Sequence, residues 1–419
     1  MTRRVASTAV RAQLDRLAPR YLEALQTLVQ IPSTIGEETA AQNHVAELMR
    51  AAGFESDVWQ VDRMEFADDP RSGCADGGER PRPNVTAIRA GRGGGRSLAL
   101  SGHVDVVPPG PLSQWTRDPW GGQIENGRLY GRGALDMKGG LIAAIHAAHA
   151  VVAAGIPLRG DLVLESVIEE EATGNGTLAA RRRGPRVDGA IIPEVTREEI
   201  QTANPGVVWF ELTTTGRSAY VGQAGASANA IDLATGLVHA LRDLPREFNT
   251  RFAHPAYEGV ADPLTLNVGT MVGGDWPSSV PLECRVGLRL SFPIGWSVDQ
   301  ARAAVEECVR AASDTDPWLR DHPPAIRWHG FQATGWSIDR DQPIVRELAA
   351  AVGAATGTPA RYGAMLGTAD ARFFGDAGIP VVYFGPAGEG QHGPNEYVDL
   401  ASVERVAAVL ADVIVRWCS

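Results

Sequence analysis

Apolar positions along this chain recur with two periods, one typical of helices and the other of strands. Helical spacing over residues 8–30, at positions such as Leu14, Leu17 and Tyr21, predicts a first amphipathic helix. The same spacing predicts further helices, and short β-branched runs between them predict strands. The helices cover 37–52, 141–154, 342–356 and 401–417, and the strands cover 97–101, 162–168, 189–192 and 381–384. Because this alternation is typical of a mostly parallel sheet with helices on both faces, we expect an α/β fold.

The order of elements changes after residues 204–206, Asn-Pro-Gly. The elements that follow are strand, helix, strand, strand, helix and strand, over 207–215, 227–243, 264–272, 284–292, 298–312 and 325–328. This β-α-β-β-α-β order predicts a ferredoxin-like unit inserted into the larger α/β domain. We therefore predict one domain formed by 1–204 and 332–419 and a second formed by 205–331. A loop rich in Gly, Pro and Asp is predicted over 62–84.

Composition and charge narrow the class of protein. The length of 419 residues exceeds what one hydrophobic core usually holds, which favours two domains. A net charge of −11 argues against nucleic acid or an anionic membrane as a partner. No window approaches ~18 uninterrupted apolar residues and the N-terminal residues lack a signal-peptide pattern, so we expect no membrane span. Cys74, Cys284, Cys308 and Cys418 show no CxxC spacing, which indicates reduced thiols in a cytoplasmic protein.

A glycine-rich stretch at 131–140 holds one carboxylate, Asp136, between a strand-like run at 127–130 and the helix at 141–154. Glycines on both sides let the backbone bend tightly at this point. An acidic residue in such a loop has two interpretations. It either caps the helix that follows or binds a metal ion held between strand and helix. The polar residues near other strand ends bear on the choice.

Two further polar clusters follow predicted strands. His103 and Asp105 leave the strand at 97–101 at positions i and i+2, which share one face, so Asp105 is placed to orient the imidazole, directly or through the backbone. Glu169, Glu170 and Glu171 follow the strand at 162–168. Three adjacent carboxylates are costly unless water solvates them or a cation neutralises them. The acidic run is therefore either an exposed loop or part of a metal site.

Glu194 and His392 complete the set of candidate ligands, because each also follows a predicted strand. Open α/β sheets bind their ligands at the carboxyl ends of strands, so we expect five side chains to meet at one edge of one sheet. The five are His103, Asp136, Glu171, Glu194 and His392. Two imidazoles and three carboxylates form a nitrogen and oxygen set suited to Zn²⁺, Mn²⁺ or Co²⁺. Two such ions sharing Asp136 would lie about 3.5–4 Å apart.

The motifs around these residues resemble those of the metal-dependent carboxypeptidases and deacylases. This family includes glutamate carboxypeptidase, acetylornithine deacetylase and succinyl-diaminopimelate desuccinylase. The motifs are SGHVDVVPPG (101–110), GRGALDMKGG (131–140), IEEEATGNG (168–176), IIPEVT (191–196), GTAD (367–370) and FGPAGEGQHGPNEYV (384–398). They occur in the family's order, and the resemblance covers nearly the whole chain, including the inserted domain.

The resemblance implies a role for each candidate ligand. Asp136 would bridge two divalent ions. His103 and Glu194 would complete one ion site, and Glu171 and His392 the other. The family often has a cis peptide bond after the bridging aspartate. The resemblance also implies that 205–331 is a lid domain through which two copies form a homodimer.

The resemblance assigns catalysis to Glu170 and substrate binding to two residues of the lid. Glu170 would be the general base that takes a proton from metal-activated water. Tyr220 stands where the family usually has a histidine that reaches the active site of the partner subunit and stabilises the oxyanion. A tyrosine hydroxyl donates a hydrogen bond but stays neutral near pH 7. Arg289 matches the family's arginine that binds a substrate carboxylate, with Arg285 as the nearest alternative.

The sequence thus predicts a hydrolase of a C–N bond in a small carboxylate-bearing substrate, with one or two metal ions. The default substrate is an N-acyl amino acid or a peptide-like amide. Tyr220 favours a second hypothesis, hydrolytic deamination of an aromatic amino acid-like acid, as in the 5-nitroanthranilate aminohydrolases that resemble this family. That reaction depends less on an oxyanion histidine because the charge spreads into the ring. A third hypothesis is an inactive metal-binding homologue, against which the presence of Glu170 argues.

Overall fold

The chain folds around a large central sheet and a smaller second sheet, in a computed structural model that describes residues 2–73 and 82–419. Over these residues the helices are α1 (Thr2–Gln30), α2 (Thr39–Ala51), α3 (Gly139–Ala153), α4 (Asn175–Arg183), α5 (Ala230–Leu241), α6 (Asp243–Arg251), α7 (Val298–Thr315), α8 (Pro317–Asp321), α9 (Pro343–Thr356), α10 (Ala371–Asp376) and α11 (Leu400–Cys418). In this part of the chain, no helix has both the length and the apolar character that crossing a membrane requires.

The strands follow in chain order over the same residues. They are β1 (Glu55–Val61), β2 (Arg82–Arg89), β3 (Leu98–His103), β4 (Gln123–Glu125), β5 (Arg128–Tyr130), β6 (Leu162–Val167), β7 (Ala190–Ile192), β8 (Ile200–Gln201), β9 (Ala203–Asn204), β10 (Gly206–Thr215), β11 (Leu266–Gly273), β12 (Glu283–Phe292), β13 (Ala325–Ala333), β14 (Trp336–Ser337), β15 (Tyr362–Gly363), β16 (Val381–Tyr383), β17 (Gly388–Glu389) and β18 (Tyr397–Asp399).

The central sheet has the strand order β1-β2-β6-β3-β7-β16-β8-β15. Its middle strands β6, β3, β7 and β16 pair in parallel, whereas β1 and β2 join antiparallel at one edge. Leu98 and Leu100 of β3 pack with α1, α3, α9 and α11 on one face, and Ala99 packs towards α10 on the other. The predicted α/β fold with a mostly parallel sheet between helices is confirmed. The parallel pairing places the carboxyl ends of β3, β6 and β7 at one edge.

The second sheet is antiparallel, with the order β11-β12-β10-β13. One face carries a separate hydrophobic core in which alternate residues of β10 and β12, such as Phe210 and Leu288, pack under α5 and α7. The other face looks onto the carboxyl edge of the central sheet across a cleft. This sheet spans 206–333, so β13 continues two residues beyond the boundary drawn from the sequence. The two-domain division at 204/205 and 331/332 remains a prediction.

The predicted loop over 62–84 is wrong at its C-terminal end. Residues 82–84 begin β2, a strand that lies between β1 and β6, and their side chains are buried. Their strand character comes from this pairing and not from an apolar pattern. Arg63–Phe66 form a turn of 3₁₀ helix. Residues 74–81, including Cys74, lie outside the described part. Cys284, Cys308 and Cys418 are free thiols.

Candidate metal centre

His103 is the last residue of β3 and presents its imidazole at the carboxyl edge of the central sheet. Its Nδ1 lies 2.9 Å from the backbone carbonyl of Asp105, a contact that fixes the ring. When Nδ1 donates to that carbonyl, Nε2 is the nitrogen available to a metal ion. Nε2 lies 3.3 Å from Oδ1 of Asp136 and 3.7 Å from Oε1 of Glu194. His103 is therefore held as a nitrogen donor among buried carboxylates.

Asp105 orients the imidazole through its main chain and uses its carboxylate elsewhere. The carboxylate lies 3.7 Å from Nδ1 of His103, beyond hydrogen-bond length. Its two oxygens accept hydrogen bonds from the backbone N–H groups of Glu170 (3.2 Å) and Glu171 (3.0 Å). The buried Asp105 side chain thus links the end of β3 to the acidic run that follows β6.

Asp136 lies in a loop that is built around a second carboxylate. Glu396 is buried and accepts hydrogen bonds from the backbone N–H groups of Gly133 (3.1 Å), Leu135 (2.9 Å) and Asp136 (3.1 Å). Gly133 has a φ of +80°, a conformation that strongly favours glycine. The Asp136–Met137 peptide bond is cis, as the family resemblance implied. No side chain caps the N-terminus of α3, so the capping interpretation of Asp136 is wrong.

Asp136 reaches the site from outside the central sheet. The strand before it, β5, pairs with β4 and β18 in a separate small sheet. The helix after it, α3, lies so close to the end of β7 that a Cβ on Gly140 would collide with the carbonyl of Pro193. This close approach brings Asp136 beside the residues that follow β7. The expectation that all five candidates follow strands of one sheet is therefore wrong for Asp136.

His392 closes the other side of Asp136. It lies between β17 and β18 of the small sheet, with a left-handed φ of +59° and a half-exposed side chain. It too is delivered by the small sheet, although it follows β16 in the sequence. Its Nε2 lies 3.2 Å from Oδ2 of Asp136 and 3.1 Å from Oε2 of Glu171. The neighbouring Gln391 donates to the same Oδ2 of Asp136 at 2.6 Å. Asp136 therefore lies between the two histidines, one near each carboxylate oxygen.

The acidic run is buried, which excludes the interpretation as a solvated loop. Glu169, Glu170 and Glu171 are 1%, 6% and 9% exposed. Oε2 of Glu170 lies 3.8 Å from Nε2 of His103. Its Oε1 has no hydrogen-bond partner among the described residues, although it is buried. A buried carboxylate oxygen without a partner indicates a missing ligand or solvent group.

Glu169 anchors this run to the rest of the domain. Its carboxylate pairs with the guanidinium groups of Arg63 and Arg82 and accepts a hydrogen bond from Oγ1 of Thr173 at 2.9 Å. Arg82 also pairs with the buried Glu38. The backbone of Glu169 has a φ of +64°, an uncommon conformation for a residue with a side chain. These contacts hold the turn that separates Glu169 from Glu170 and Glu171.

The carboxylates of the cluster are held close together out of water. Burial raises the pKa of Glu170 well above its ordinary value, and Glu194 adds to the effect. Burial also raises the pKa of Glu194 to about 8. Burial alone would raise the pKa of Asp136, but hydrogen bonds with His103 and His392 hold it below its ordinary value. The cluster therefore needs positive charge, supplied either by protons or by a cation.

The donor set fits a divalent metal ion. Two groups of side chains, His103 with Asp136 and Glu171, and His103 with Glu170 and Glu194, each bring possible ligand atoms within 4.8 Å of one another. Imidazole nitrogens and carboxylate oxygens are ligands for Zn²⁺ and for Mn²⁺. The unpartnered oxygen of Glu170 and the fixed ring of His103 agree with such a site.

The cluster of candidate metal ligands opens onto a cleft of about 850 Å³ between the central sheet and the second sheet. Arg289 of β12 lines this cleft and donates to Oγ of Ser291 at 2.8 Å, whereas Arg285 is exposed and pairs with Glu283. Arg289 is therefore the better placed of the two arginines considered from the sequence. Tyr220 does not line the cleft of its own chain, and its side chain is 72% exposed.

A sequence comparison decides the family. The model of peptidase family M20/M25/M40 matches residues 99–416, about three quarters of the chain. The chain belongs to this family. It is similar to the N-formyl-4-amino-5-aminomethyl-2-methylpyrimidine deformylase of Halalkalibacterium halodurans, with 28% identity over 97% of this chain and 96% of that protein. It is also similar to the succinyl-diaminopimelate desuccinylase of Methylobacterium sp. strain 4-46, with 32% identity over 94% of this chain and 96% of that protein.

The fold agrees with the M20 family. A metallo-carboxypeptidase of this family from Sulfolobus solfataricus superposes with a TM-score of 0.75, at 17% identity over 95% of this chain and 99% of that one. M20 enzymes are metal-dependent, and this member contains a residue group able to bind metal. The protein is thus an M20 metal-dependent hydrolase that acts on N-acyl or peptide C–N bonds.

Several side chains around the M20 site were not identified from the sequence. Gln391 and Glu396 lie in the motif around His392, and Asp370 lies in the GTAD motif, so a closer comparison of these motifs could have identified them. Asn267 and Trp209 also line the cleft. Neither lies in a short motif. They come to one face of the sheet only because β10 and β11 both pair with β12.

Proposed function

We propose that this protein is a deacylase that hydrolyses the amide bond of a small N-acylated, carboxylate-bearing compound, with Glu170 as general base. The observation that carries the proposal is the position of Glu170. Its side chain is buried, lies among the candidate metal ligands and lines the same cleft as Arg289. The names of both curated relatives describe removal of an acyl group, formyl in one and succinyl in the other.

The proposed ligand assignment follows from the distances within the cluster. Asp136 would contribute a ligand to each of two ion positions, because each of its oxygens lies near a different histidine. His103 and Glu194 serve one position, and His392 and Glu171 the other. The site would hold one or two ions of Zn²⁺, Mn²⁺ or Co²⁺. When bound, they would lower the pKa of the attacking water and polarise the scissile carbonyl.

Side chains of this protein carry out proton transfer, positioning and substrate binding. Glu170 takes a proton from the attacking water and passes it to the leaving nitrogen, since its carboxylate faces the cleft with one oxygen unpartnered. Asp105 holds the backbone of Glu170 and thereby acts as a positioning residue. Arg289 binds the substrate carboxylate by a paired hydrogen bond, and Asn267 lies beside it on β11.

Two copies of the chain form a homodimer through the second sheet, in this proposal. Large apolar side chains are exposed along the edge strand β11 and the segment after it, including Met271 (44%), Val272 (61%) and Trp276 (67%). An exposed apolar edge strand is a site for association. Tyr220 lies in an isolated bridge with Ser279, which follows β11 in the sequence, and in this proposal its hydroxyl reaches the partner's cleft. We also infer a cytoplasmic location, which the free thiols favour.

Deamination of an aromatic amino acid-like acid is the second candidate. Tyr220, a neutral donor, in place of an oxyanion histidine favours it, because a ring shares the developing charge. An inactive metal-binding homologue is the third, and it would turn over neither class of compound.

The deciding experiment measures metal content and then compares turnover of formyl, acetyl and succinyl amino acids with that of substituted 2-aminobenzoates. The proposal predicts amide turnover that a chelator removes and added Zn²⁺, Mn²⁺ or Co²⁺ restores. Ammonia release from 2-aminobenzoates without amide turnover would replace it with the deaminase. A metal-loaded protein inert to both classes would support the inactive homologue.

A further inference from the structure

A row of four side chains crosses the cleft face of the second sheet. The strand register pairs Asn267 with Arg289, Arg289 with Trp209, and Trp209 with His329. Residues directly opposite each other on antiparallel strands share a face, and all four line the cleft that contains Glu170. The row is polar at the β11 and β12 end and aromatic at the β10 and β13 end.

The aromatic half of the row continues into Phe331. The Trp209 ring lies 6.1 Å from the His329 ring and 5.2 Å from the Phe331 ring, both edge-on. Arg372 lies over Phe331 and donates to the carbonyl of Thr173, three residues after Glu170. The aromatic side chains therefore form one wall of the cleft that extends towards the loop of the proposed general base.

This wall is distinct from the core of the second sheet. Trp328 adjoins His329 in sequence, but its ring packs against Phe210 on the opposite face, under α5 and α7. On the cleft face Trp209 is partly exposed, and its indole Nε1 has no hydrogen-bond partner among the described residues. The indole N–H is buried, so the partly exposed face of the ring is what the cleft offers, and such a surface is suited to a flat ligand.

Apolar side chains from outside the second sheet also line this cleft. They are Met365, Leu366 and Ala369, which lie between β15 and α10, and Leu366 is 50% exposed. Methionine sulfur and aliphatic side chains pack favourably against the faces and edges of rings. The cleft thus contains both apolar and aromatic side chains and, at Arg289, a group able to bind a carboxylate.

We propose that the substrate of this enzyme carries an aromatic or heteroaromatic ring next to its carboxylate, with the ring against Trp209 and the carboxylate on Arg289. This inference rests on the proposed deacylase function and names its substrate class. Adjacent strands lie about 4.8 Å apart, so Arg289 and Trp209 match a ring and a carboxylate separated by a few bonds. An N-acylated aromatic amino acid has this spacing, whereas an aliphatic chain leaves the aromatic wall uncovered.

Two matched series of amides test the inference. Formyl, acetyl and succinyl derivatives of phenylalanine are compared with those of norleucine, which has a similar length but no ring. We expect kcat/KM to favour the phenylalanine series about tenfold or more, given the energy of aromatic contacts beyond area burial. Trp209→Leu should abolish this preference by lowering kcat/KM for the phenylalanine series towards that of the norleucine series, and Trp209→Phe should retain it. Trp328→Leu, on the core face of the same sheet, is the matched control and should keep the preference.

Binding of the free products gives a second readout that needs no variant. Calorimetry on the metal-loaded wild-type protein should show tighter binding of phenylalanine than of norleucine, which decides the matter even if Trp209→Leu does not fold. Equal binding and equal kcat/KM for the two series would overturn the inference but leave the deacylase intact. A preference that persists in Trp209→Leu would also overturn it. Absence of turnover with every amide would instead contradict the proposed function.

Discussion

The carboxylate of Asp105 accepts a hydrogen bond from the backbone N–H of Glu170, at 3.2 Å, across 65 positions of sequence. Its other oxygen accepts from the next N–H, that of Glu171. One buried side chain thus fixes the backbone of both the proposed base and a proposed ligand. Because the imidazole of His103 is held by the carbonyl of Asp105, changing the Asp105 side chain should affect the acidic run more than His103.

Asp105→Asn tests whether the Asp105 side chain positions the acidic run and not His103. The asparagine amide has one acceptor oxygen, so its NH₂ group would face one of the two backbone N–H donors. The repulsion would shift the acidic run. We expect kcat to fall about 100-fold, the scale of a misplacement near 1 Å, with a smaller change in KM. Metal content should stay near that of the wild type. Asp316→Asn is the control, because a single oxygen of Asp316 accepts from the backbone N–H groups of Trp318 and Leu319 and asparagine can keep both bonds, so kcat should not change. Metal loss with an unchanged kcat of the loaded protein would contradict the account.

Glu169→Gln should uncouple the acidic run from its arginine anchors. The variant removes one buried counter-charge from Arg82, which keeps its pair with Glu38, so unfolding free energy should fall by about 3 kcal/mol, the lower end for a broken buried pair. Chemical denaturation measures that loss, and steady-state kinetics should show a lower kcat. Glu165→Gln breaks another buried pair, with Arg181, away from the cluster. It should lower stability with little change in kcat, and equal kcat losses in both variants would refute a positioning role for Glu169.

Glu396→Gln should weaken metal binding. The carboxylate of Glu396 holds the Asp136 loop by three backbone hydrogen bonds and pairs with Arg132. Loss of such supporting contacts typically lowers metal affinity about 10–100-fold. Titration with a competing chelator measures the affinity. Unchanged affinity would show that the loop holds Asp136 without Glu396.

The candidate ligands could be predicted because each lies in a short motif beside a regular element. His103 is at the end of an apolar strand, and the acidic run follows another. The route of Asp136 to the site was not predictable in the same way. It depends on α3 lying against Pro193 at Gly140, a contact between segments that are far apart in the sequence.

The arginine that pairs with Glu169 and the side chains that line the cleft also depend on contacts between distant segments. Arg82 lies in a segment for which the sequence predicts a loop. Only the pairing of β2 with β1 and β6 brings it to Glu169. Trp209 and Arg289 become neighbours through the register of β10 and β12. Local patterns specify which elements form, whereas contacts across sheets specify which side chains meet.

Mixing two inactive variants tests whether Tyr220 acts in a partner's cleft. Glu170→Gln lacks the base and Tyr220→Phe lacks the hydroxyl. In a symmetric dimer that exchanges subunits, half of the molecules become mixed and regain one complete site. We expect about a quarter of wild-type activity after subunit exchange, given two equivalent sites per dimer. If the mixture only averages the two parent activities, Tyr220 does not act across the dimer.

The buried His146 predicts a pH dependence of stability that is unrelated to the metal centre. Burial lowers its pKa from 6.5 to about 4, and its Nε2 lies 3.1 Å from the carbonyl of Leu14, between α3 and α1. The unfolded chain binds the proton first, so unfolding free energy should fall as the pH drops from 6.5 towards 4 and level off below. His146→Gln should remove this contribution. Denaturation at several pH values measures this. If His146→Gln loses as much unfolding free energy at acidic pH as the wild type, the prediction is contradicted.

The most direct test of the central claim is the metal content and turnover of Glu170→Gln, measured on the same preparation. Glutamine keeps the shape of the side chain but cannot accept the proton, and general-base catalysis typically contributes about 10²–10⁴-fold. We predict full metal content, an unchanged fold and a loss of amide turnover on that scale. A metal-loaded Glu170→Gln protein that retains near wild-type kcat would show that another group activates the water.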